Sequence, residues 1–428
     1  MNEKNIQGKI GILMGGGPAP GVNGVIHGAT IVALDAGYEV FGIYEGFRYL
    51  SEGRLEGKPL SIADVSRIHL DGGCILRTSR ANPTKSDHLL ENCVKTLLAE
   101  RISHLIAIGG DDTAYSASRV SQYAREKLGA DIHVVHVPKT IDNDLPLPEG
   151  IPTFGYETAR EVGTELVRNL LVDATTGQRW FLVIAMGRHA GHLALGMGKS
   201  AGATVTVIPE EFGAKEIPMQ WVTDIFVTTV LKRMAMDRPY GILLGAEGLV
   251  EIISREDLSQ LKDVEVDAHG HIRLSEIDSA MLLKREVVKQ LEAIGVENVR
   301  IVGKQLGYEL RCAPPNAYDV DYTRSLGQAA VEFLVNGGSH ATITIQGNQI
   351  VPMRFDEMMN PETGRTEVRK VNIDSWSYRS AYRFMIRLKA EDAHNEPLWA
   401  EMASLTNLTV DDLKARYGYL CGLGTPPF

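Results

Sequence analysis

Short apolar runs that end in glycine, proline or polar residues recur along the first half of the chain, and segments of helical spacing separate them. The strands predicted from these runs are 9–14, 38–44, 105–108 and 132–137, and the helices are 22–36, 61–68, 87–100 and 114–123. Leu105–Ile108 is uninterrupted, which is typical of a strand that is buried on both faces. The alternating order of strands and helices predicts a parallel sheet with helices on both faces.

The second half of the chain repeats the pattern less regularly. Strands are predicted at 181–185, 205–208, 240–244, 299–302 and 341–346, and helices at 157–174, 220–234 and 317–336. The stretch 249–299 is charged and helical in pattern, and 377–388 mixes helix with polar loop. Because no flexible linker marks a border, the division rests on strand order. It predicts an N-terminal α/β domain at 1–153, joined by part of 320–372, and a second α/β domain at 154–428.

Composition and charge restrict the class of protein. At 428 residues the chain can bury a large core, and 23% charged and 44% hydrophobic residues are ordinary for a soluble protein. The formal charge of -10 argues against nonspecific nucleic-acid binding. No apolar run long enough for a membrane span or a signal core is present, and the four scattered cysteines favour reduced thiols. We therefore expect a cytoplasmic protein without a membrane partner.

Two glycine-rich turns each lie between a strand and a helix. Residues 15–21 read GGGPAPG, and Gly109 and Gly110 end the strand at 105–108. Free N–H groups and the positive end of the helix dipole make such a turn a binding place for phosphate. Asp111 and Asp112 come next and would repel a bare phosphate, so we expect a divalent cation between them and the phosphate. We also expect Thr113 near the N-cap of the helix.

Charged residues also follow other strands. PKTIDND at 138–144 places a cation, a hydroxyl and two acids directly after a strand, which a simple surface turn does not explain. Arg188 follows the strand at 181–185, and its guanidinium can donate two hydrogen bonds to a phosphate. The segment 71–82 carries Arg77 and Arg80. Two interpretations of it stay open, a solvated loop or a loop from which Arg80 reaches a phosphate.

Three other patterns carry less weight. His189 and His192 are three residues apart, but no third metal ligand lies near them in the sequence. The Gly-Lys-Ser at 198–200 imitates the end of a Walker A loop, yet Leu193 stands where the first glycine of that motif would fall. We predict that 198–200 lies within a helix. No GxGxxG with a downstream ribose-binding acid is present, which argues against a nicotinamide dehydrogenase.

Six segments together resemble motifs of the phosphofructokinase family, in that family's order: GGGPAPGVNG, GGDDT, PKTIDND, MGRHAG, AEG and GYELR. Any one of them could arise by chance, whereas six in order are a strong match, and the resemblance covers most of residues 8–350. It implies two Rossmann-like three-layer α/β domains with the active site in the cleft between them. It also implies a homodimer or homotetramer in which a neighbouring subunit supplies some substrate contacts.

The resemblance implies that a phosphoryl group is transferred to the 1-hydroxyl of fructose 6-phosphate, which gives fructose 1,6-bisphosphate. Gly16, Gly17 and Arg80 would bind the donor phosphates, and Asp111 would hold Mg²⁺ directly or through water. Asp142 would be the general base, because removing the proton of an alcohol as the new O–P bond forms lowers the barrier.

The same resemblance implies which residues hold the sugar phosphate: Thr140, Ile141, Asp142, Met186, Gly187, Arg188, Glu247, Tyr308 and Arg311. Glu247 would bind the sugar hydroxyls, and Tyr308 and Arg311 would bind the 6-phosphate. Arg179 could contact that phosphate across a subunit interface. Asp144 would help to place the metal or orient the loop of the base.

Two positions resemble the pyrophosphate-dependent branch of the family. ATP-using members have glycine at both, whereas this chain has Asp112 and Lys139. The carboxylate of Asp112 would occupy the place of the α-phosphate of a nucleotide, and its negative charge would repel that phosphate. Lys139 would add positive charge where the leaving phosphate develops negative charge. The implied donor is therefore pyrophosphate, and the implied second product is phosphate.

The chain departs from the allosteric bacterial ATP enzyme at several positions. His27 stands where that enzyme has an effector-binding arginine, and Tyr308 stands where it has a histidine. Its upstream substrate arginine has no certain counterpart, since Arg300 and Lys304 are both candidates. We expect no strong control by nucleotides or phosphoenolpyruvate.

Two alternatives belong to the same fold. An ATP-dependent 6-phosphofructokinase is disfavoured by Asp112 and Lys139. A noncatalytic regulatory subunit should have lost its base or its metal-binding acid, yet Asp111, Asp142 and Arg188 are all present.

Overall fold

The computed structural model describes residues 7–213, 216–259, 278–358, 366–423 and 425. Its contacts divide the chain into two compact units, each built from two stretches of chain. The first unit is Met1–Ala159 with Tyr308–Arg369, and the second is Arg160–Gly307 with Lys370–Phe428. The sequence predicts a domain border after residue 153, with a return segment, part of 320–372, that rejoins the first domain. That division stays a prediction.

The chain alternates strands and helices and is mixed α/β. The strands are β1 Lys9–Met14, β2 Glu39–Ile43, β3 Gly57–Pro59, β4 Ile102–Gly109, β5 His133–Pro138, β6 Trp180–Ala185, β7 Val205–Val207, β8 Gly241–Ala246, β9 Ile301–Leu306, β10 Ala341–Gln346 and β11 Gln349–Arg354. The helices are α1 Val22–Asp35, α2 Arg48–Ser51, α3 Ile62–Val65, α4 Asp87–Ala99, α5 Asp111–Leu128, α6 Tyr156–Gly177, α7 His192–Ala201, α8 Met219–Met234, α9 Gly248–Glu251, α10 Arg255–Ser259, α11 Ser279–Ala293, α12 Tyr308–Arg311, α13 Ala317–Val335, α14 Trp376–Phe384, α15 Glu396–Ser404 and α16 Val410–Tyr417.

The sheet of the first unit has the strand order β11-β10-β5-β4-β1-β2-β3. The five strands from β10 to β2 are parallel, and only the edge strands β11 and β3 pair antiparallel. Because β1, β4 and β5 are neighbours and parallel, their carboxyl ends lie at one edge of the sheet. The glycine turn, the GGDDT segment and the PKTIDND segment all begin there, as the parallel order predicted.

Alternating side chains of the central strands pack into two cores, one on each face of this sheet. Ile12 and Ile106 pack with α1 and α13 on one face, and Leu13 and Leu105 pack with α4 and α5 on the other. A strand that is buried on both faces needs apolar residues at every position, which explains the uninterrupted run at Leu105–Ile108. Burying each Leu or Ile side chain stabilises the fold by roughly 1.5–3 kcal/mol.

The sheet of the second unit is parallel, with the order β7-β8-β6-β9. Every residue of β6 and β8 is buried. Met186 to Arg188 follow β6 directly and Glu247 follows β8, so these residues also leave the sheet at its carboxyl edge. Within the described part of the chain, no helix is long and apolar enough to cross a membrane.

Some boundaries differ from the prediction, although residues 198–200 do lie inside α7 as expected. The helix after GGDDT begins at Asp111 with Gly110 as N-cap, so the prediction of Thr113 near the N-cap was wrong. Thr113 is instead buried in the first turn. Helix α3 is shorter than predicted for 61–68, β9 begins two residues later than predicted, and β11 was missed. Residues 260–277 of the predicted charged stretch lie outside the described residues.

Candidate active site

The turn after β1 is held in place from two sides. Gly15 donates its N–H to the carbonyl of Ile108 at 2.9 Å, and Gly16 donates to the carbonyl of Ser79 at 3.0 Å. The hydroxyl of Thr78 donates to the carbonyl of Gly16 at 2.6 Å. Gly16 has φ 81°, a left-handed conformation that costs a glycine nothing. The segment 71–82 is thus bonded to the glycine turn, and that brings Arg80, which is exposed, to the same edge.

Asp111 and Asp112 lie in the first turn of α5, where the helix dipole favours negative charge. Both side chains are exposed. Although Asp112 is exposed, the protein around it partly shields its carboxyl from water, which raises its pKa above the usual value, and the charge of Asp111 raises it further. Arg80 lowers it, which shows that this guanidinium lies within electrostatic range of the carboxylate.

Lys139 lies beneath the glycine turn. Its side chain is 6% exposed, and its ammonium donates to the carbonyl of Gly17 at 2.6 Å. Burial lowers the pKa of Lys139 to about 8, and the neighbouring charge of Arg311 contributes to the decrease. Asp142 and Asp144 act in the opposite direction and favour the charged ammonium. The ammonium of Lys139 thus lies between the glycine turn and the two acids, and its charge can be lost slightly above neutral pH.

The loop after β5 carries the remaining residues of PKTIDND. The hydroxyl of Thr140 accepts a hydrogen bond from the N–H of Asp142 at 3.0 Å, and Ile141 is buried. Asn143 has φ 56°, a left-handed conformation that is uncommon for a residue with a side chain. Asp142 and Asp144 therefore flank a residue whose backbone conformation is constrained.

Tyr308 and Arg311 form the short helix α12, which belongs to the first unit. The guanidinium carbon of Arg311 lies 3.6 Å from the position that a Cβ on Gly17 would occupy, and 5.0 Å from the centre of the Tyr308 ring. Tyr308 itself is 79% exposed. The structure thus places Arg311 beside Gly17 and Lys139, and the sequence motifs do not indicate that proximity.

In the second unit, Glu247 holds the turn that follows β6. Its carboxylate accepts the N–H of Gly187 at 3.1 Å and lies 3.7 Å from the guanidinium of Arg188. Gly187 has φ 128°, and its carbonyl accepts the N–H of Gly248 at 3.1 Å. Met186 donates its N–H to the carbonyl of Leu306 at 2.8 Å. The MGR and AEG segments are therefore bonded to each other.

Arg179 is not part of that group. It precedes β6, whereas Met186 follows it, so about 20 Å of extended strand separates the two residues. Its guanidinium lies 3.3 Å from Asp173. Arg300 precedes the register partner of Trp180 and so lies at the same edge as Arg179, while Lys304 lies within β9. The expected contact of Arg179 across a subunit interface stays a prediction.

The structure also places the three histidines of the sequence analysis. His27 is buried in α1, where a ring nitrogen lies 2.8 Å from the carbonyl of Val65. His189 is exposed and lies 3.6 Å from the carboxylate of Glu251, and His192 begins α7.

Sequence reasoning missed two residues that bind the predicted motifs. His136 is fully buried, and burial lowers its pKa to about 4, so its ring is neutral. Its Nε2 lies 2.8 Å from the carbonyl of Gly109, and its Nδ1 lies 3.0 Å from the hydroxyl of Thr342. Since Gly109 also accepts the N–H of Lys139 at 2.8 Å, one carbonyl joins the GGDDT and PKTIDND segments. The second missed residue is Arg369, which binds the loop after Asp142.

The donor atoms suit Mg²⁺ better than a metal held by protein ligands alone. Within the described ranges, no group of three or more His, Cys, Asp or Glu side chains could hold a metal ion. Asp111 and Asp112 instead offer exposed carboxylates at consecutive positions, and a bound cation would relieve their mutual repulsion. Mg²⁺ commonly binds through one or two carboxylates, with waters and substrate phosphates completing its shell. The residues present fit that pattern.

Comparisons with known proteins identify the family of the chain. The family model described as Phosphofructokinase matches residues 9–334. A relative from Naegleria fowleri named pyrophosphate–fructose 6-phosphate 1-phosphotransferase is 47% identical over 421 residues, which is 96% of this chain and 95% of the relative. A relative of the same name from Thermotoga maritima is 48% identical over 415 residues, covering 96% and 98% of the two chains.

Solved structures share the fold at lower identity. A pyrophosphate-dependent phosphofructokinase from Marinobacter aquaeolei superposes with a TM-score of 0.65 at 19% identity, over 98% of this chain and 93% of that chain. A phosphofructokinase from Saccharomyces cerevisiae gives 0.65 at 20% identity, over 96% of this chain and 50% of that chain. The motifs, the fold and the relatives agree, and the chain belongs to the phosphofructokinase family.

Proposed function

We propose that this protein transfers a phosphoryl group from pyrophosphate to the 1-hydroxyl of fructose 6-phosphate, reversibly, giving fructose 1,6-bisphosphate and phosphate. The observation that carries the donor assignment is the ammonium of Lys139, which is buried and bonded to Gly17 beneath the glycine turn. A positive charge fixed there stabilises the charge that develops on a leaving phosphate. Relatives that are 47% and 48% identical over nearly the whole chain bear the name of this reaction.

The first unit holds the donor and the base in this proposal. The backbone of Gly16 and Gly17 and the guanidinium of Arg80 bind the pyrophosphate. Asp111 holds Mg²⁺, which when bound neutralises charge on the phosphate oxygens. Asp142 accepts the proton of the sugar hydroxyl as the O–P bond forms, and in the reverse direction it returns that proton.

A further set of residues binds the sugar phosphate in this proposal. The turn after β6 binds the substrate through Met186, Gly187 and Arg188. Glu247 orients that turn and accepts hydrogen bonds from the sugar hydroxyls. In this proposal Thr140, Ile141, Tyr308 and Arg311 also contact the sugar phosphate. Asp112 excludes a nucleotide because its carboxylate occupies the place of the α-phosphate and repels the charge of that phosphate.

We also propose that the protein is a cytoplasmic homodimer or homotetramer. The position of Arg179 supports an oligomer, because it lies at the opposite edge of the sheet from Arg188 and so cannot join it within one chain. A neighbouring subunit could instead receive the contact. Arg300 lies at that same edge, which favours it over Lys304 as the second residue of such a contact.

A coupled assay of purified protein tests the reaction. Fructose 1,6-bisphosphate formation is followed with fructose 6-phosphate and either pyrophosphate or ATP at equal Mg²⁺. We expect turnover with pyrophosphate, little with ATP, and phosphate-dependent formation of pyrophosphate in the reverse direction. Faster turnover with ATP would contradict the assignment of pyrophosphate as donor, and only the family membership of the chain would still stand.

The pH dependence tests the role of Lys139. Because its pKa is lowered to about 8 in the free protein, the ammonium is charged below that pH and neutral above it. The kcat/KM for pyrophosphate should therefore be highest below pH 8 and decline by about tenfold per pH unit well above it. In the pH profile of kcat the decline should begin at a higher pH, since bound phosphates favour the charged form of the lysine and so raise its pKa.

Lys139→Arg is the control for that profile, because a guanidinium stays charged throughout this range. Each variant is assayed with the same pyrophosphate at each pH, so titration of the substrate affects both alike. The variant should lose the decline above pH 8 even where its overall rate is lower. An identical decline in both proteins would show that Lys139 does not cause it.

A further inference from the structure

The loop between β5 and α6 carries Lys139, Asp142 and Asp144 but has no regular secondary structure of its own. Its carbonyl groups must therefore find partners elsewhere, because buried backbone groups are nearly always hydrogen-bonded. One side chain supplies partners for several of them. The guanidinium of Arg369 donates to the carbonyl of Ile151 at 2.8 Å and to that of Asn143 at 3.1 Å.

Two further bonds tie Arg369 to the same loop. Its guanidinium donates to the carbonyl of Leu147 at 3.3 Å, and its backbone N–H donates to the carbonyl of Asp144 at 2.8 Å. The side chain is only partly exposed, and burial lowers the pKa of the guanidinium. A planar fork of five donors can satisfy carbonyls that point at it from several directions, whereas an ammonium on a flexible stem cannot hold that arrangement.

Asn143 connects this cluster to the two acids. It lies between Asp142 and Asp144 with φ 56°, and its side-chain oxygen accepts hydrogen bonds from the guanidinium of Arg369 and from the N–H of Thr153, the latter at 3.0 Å. The hydroxyl of Thr153 donates to the carbonyl of Thr140 at 2.8 Å. A left-handed residue persists only where its surroundings hold it. The directions of both carboxylates thus depend on the bonds that Asn143 makes.

We propose that Arg369 is a positioning residue for the phosphoryl transfer: its guanidinium fixes the turn at Asn143 and thereby the direction of the Asp142 carboxylate. The inference rests on the proposed function, since it assigns Asp142 the role of base. Arg369 contacts neither donor nor sugar in this scheme. Its loss should therefore reduce the rate of the chemical step more than the binding of either substrate.

The test compares Arg369→Gln, Arg369→Lys and Arg369→Ala with the full-length wild type. A displacement of about 1 Å at a reacting group can reduce the rate about 10²-fold, so we expect kcat to decrease 10- to 100-fold in all three. The KM values for pyrophosphate and fructose 6-phosphate should stay within about threefold. Arg354→Gln is the matched control, because Arg354 lies in the same return segment, is exposed and pairs with Asp356. It should behave as wild type.

A second measurement separates positioning from loss of the fold. Adding guanidinium chloride at low millimolar concentration should restore part of the kcat of Arg369→Ala and should leave Arg354→Gln unchanged. Unchanged kcat in Arg369→Gln would overturn the proposal, and so would a loss that tracks thermal stability without any rescue by guanidinium. If wild type itself shows no turnover of pyrophosphate and fructose 6-phosphate, the proposed function fails, and the assignment of Arg369 fails with it.

Discussion

Replacing Asp142 with asparagine should lower kcat by roughly 10²–10⁴-fold, which is the scale of general-base catalysis, while leaving the affinity for fructose 6-phosphate nearly intact. The amide has the size of the carboxylate but cannot accept the proton of the 1-hydroxyl. The backbone N–H of Asp142 would still donate to Thr140, so the loop keeps its shape. Initial rates in both directions and calorimetric binding of fructose 6-phosphate measure the two effects separately.

Two further variants make that result specific. Asp144→Asn removes the neighbouring carboxylate and should reduce kcat less, because the proposed role of Asp144 is to help place the metal or orient the loop of the base, and not to accept the proton. Asp356→Asn removes an exposed surface carboxylate that pairs with Arg354 and should have no effect. Forward and reverse rates of Asp142→Asn should decrease together, since the same group moves the proton both ways. A variant with the kcat of wild type would exclude Asp142 as the base.

The central part of the sheet of the first unit could be predicted from the sequence because its central strands are buried on both faces. Such strands appear as apolar runs with no polar position, and parallel pairing then places their carboxyl ends together. The prediction that the glycine turn and the GGDDT and PKTIDND segments share one edge is confirmed by the order β5-β4-β1. The second unit follows the same logic, since β6 and β8 are apolar throughout.

Local patterns were less informative where distant packing decides the outcome. Thr113 is a good N-cap residue by type, yet α5 begins at Asp111. A Cβ on Gly15 or Gly109 would stand within 2.5 Å of the Thr113 hydroxyl, so Thr113 fills the space beside two glycines of different turns. Gly109 lies in the same stretch of sequence, but Gly15 is about a hundred positions away, so this packing cannot be seen from the local pattern. The half-exposed edge strand β11 lacks the continuous apolar pattern that identified its neighbours.

The residues that brace the predicted motifs could not be found by reading along the chain. His136 bonds to Thr342, and Arg369 bonds to Asn143 across a separation of 226 residues. Neither belongs to a recognisable motif, and an arginine in a polar segment gives no sign that it is folded onto a loop. The motif residues themselves were predictable because their chemistry is concentrated in a few consecutive positions. Their supports are distributed through the fold.

The choice of phosphoryl donor gives the second large expected effect. Asp112→Gly should permit weak turnover with ATP, because it removes the bulk and the charge that, in the proposed site, exclude the α-phosphate of a nucleotide. It should also lower pyrophosphate turnover, since glycine loosens the first turn of α5. Asp112→Asn separates the two causes, because it keeps the size and removes the charge. Asp87→Gly is the matched control, as Asp87 lies in the first turn of α4.

Lys139→Gly should behave differently from Asp112→Gly. If the ammonium acts on charge that develops in the transition state, as proposed, its loss should lower kcat and kcat/KM for pyrophosphate together and give little activity with ATP. The double variant should use ATP better than either single variant, because the excluding carboxylate and the mismatched charge are both removed. A pure increase in KM for Lys139→Gly would show that the lysine only binds the donor. If Asp112→Gly changes the kinetics of neither donor, the nucleotide is excluded by something other than this carboxylate.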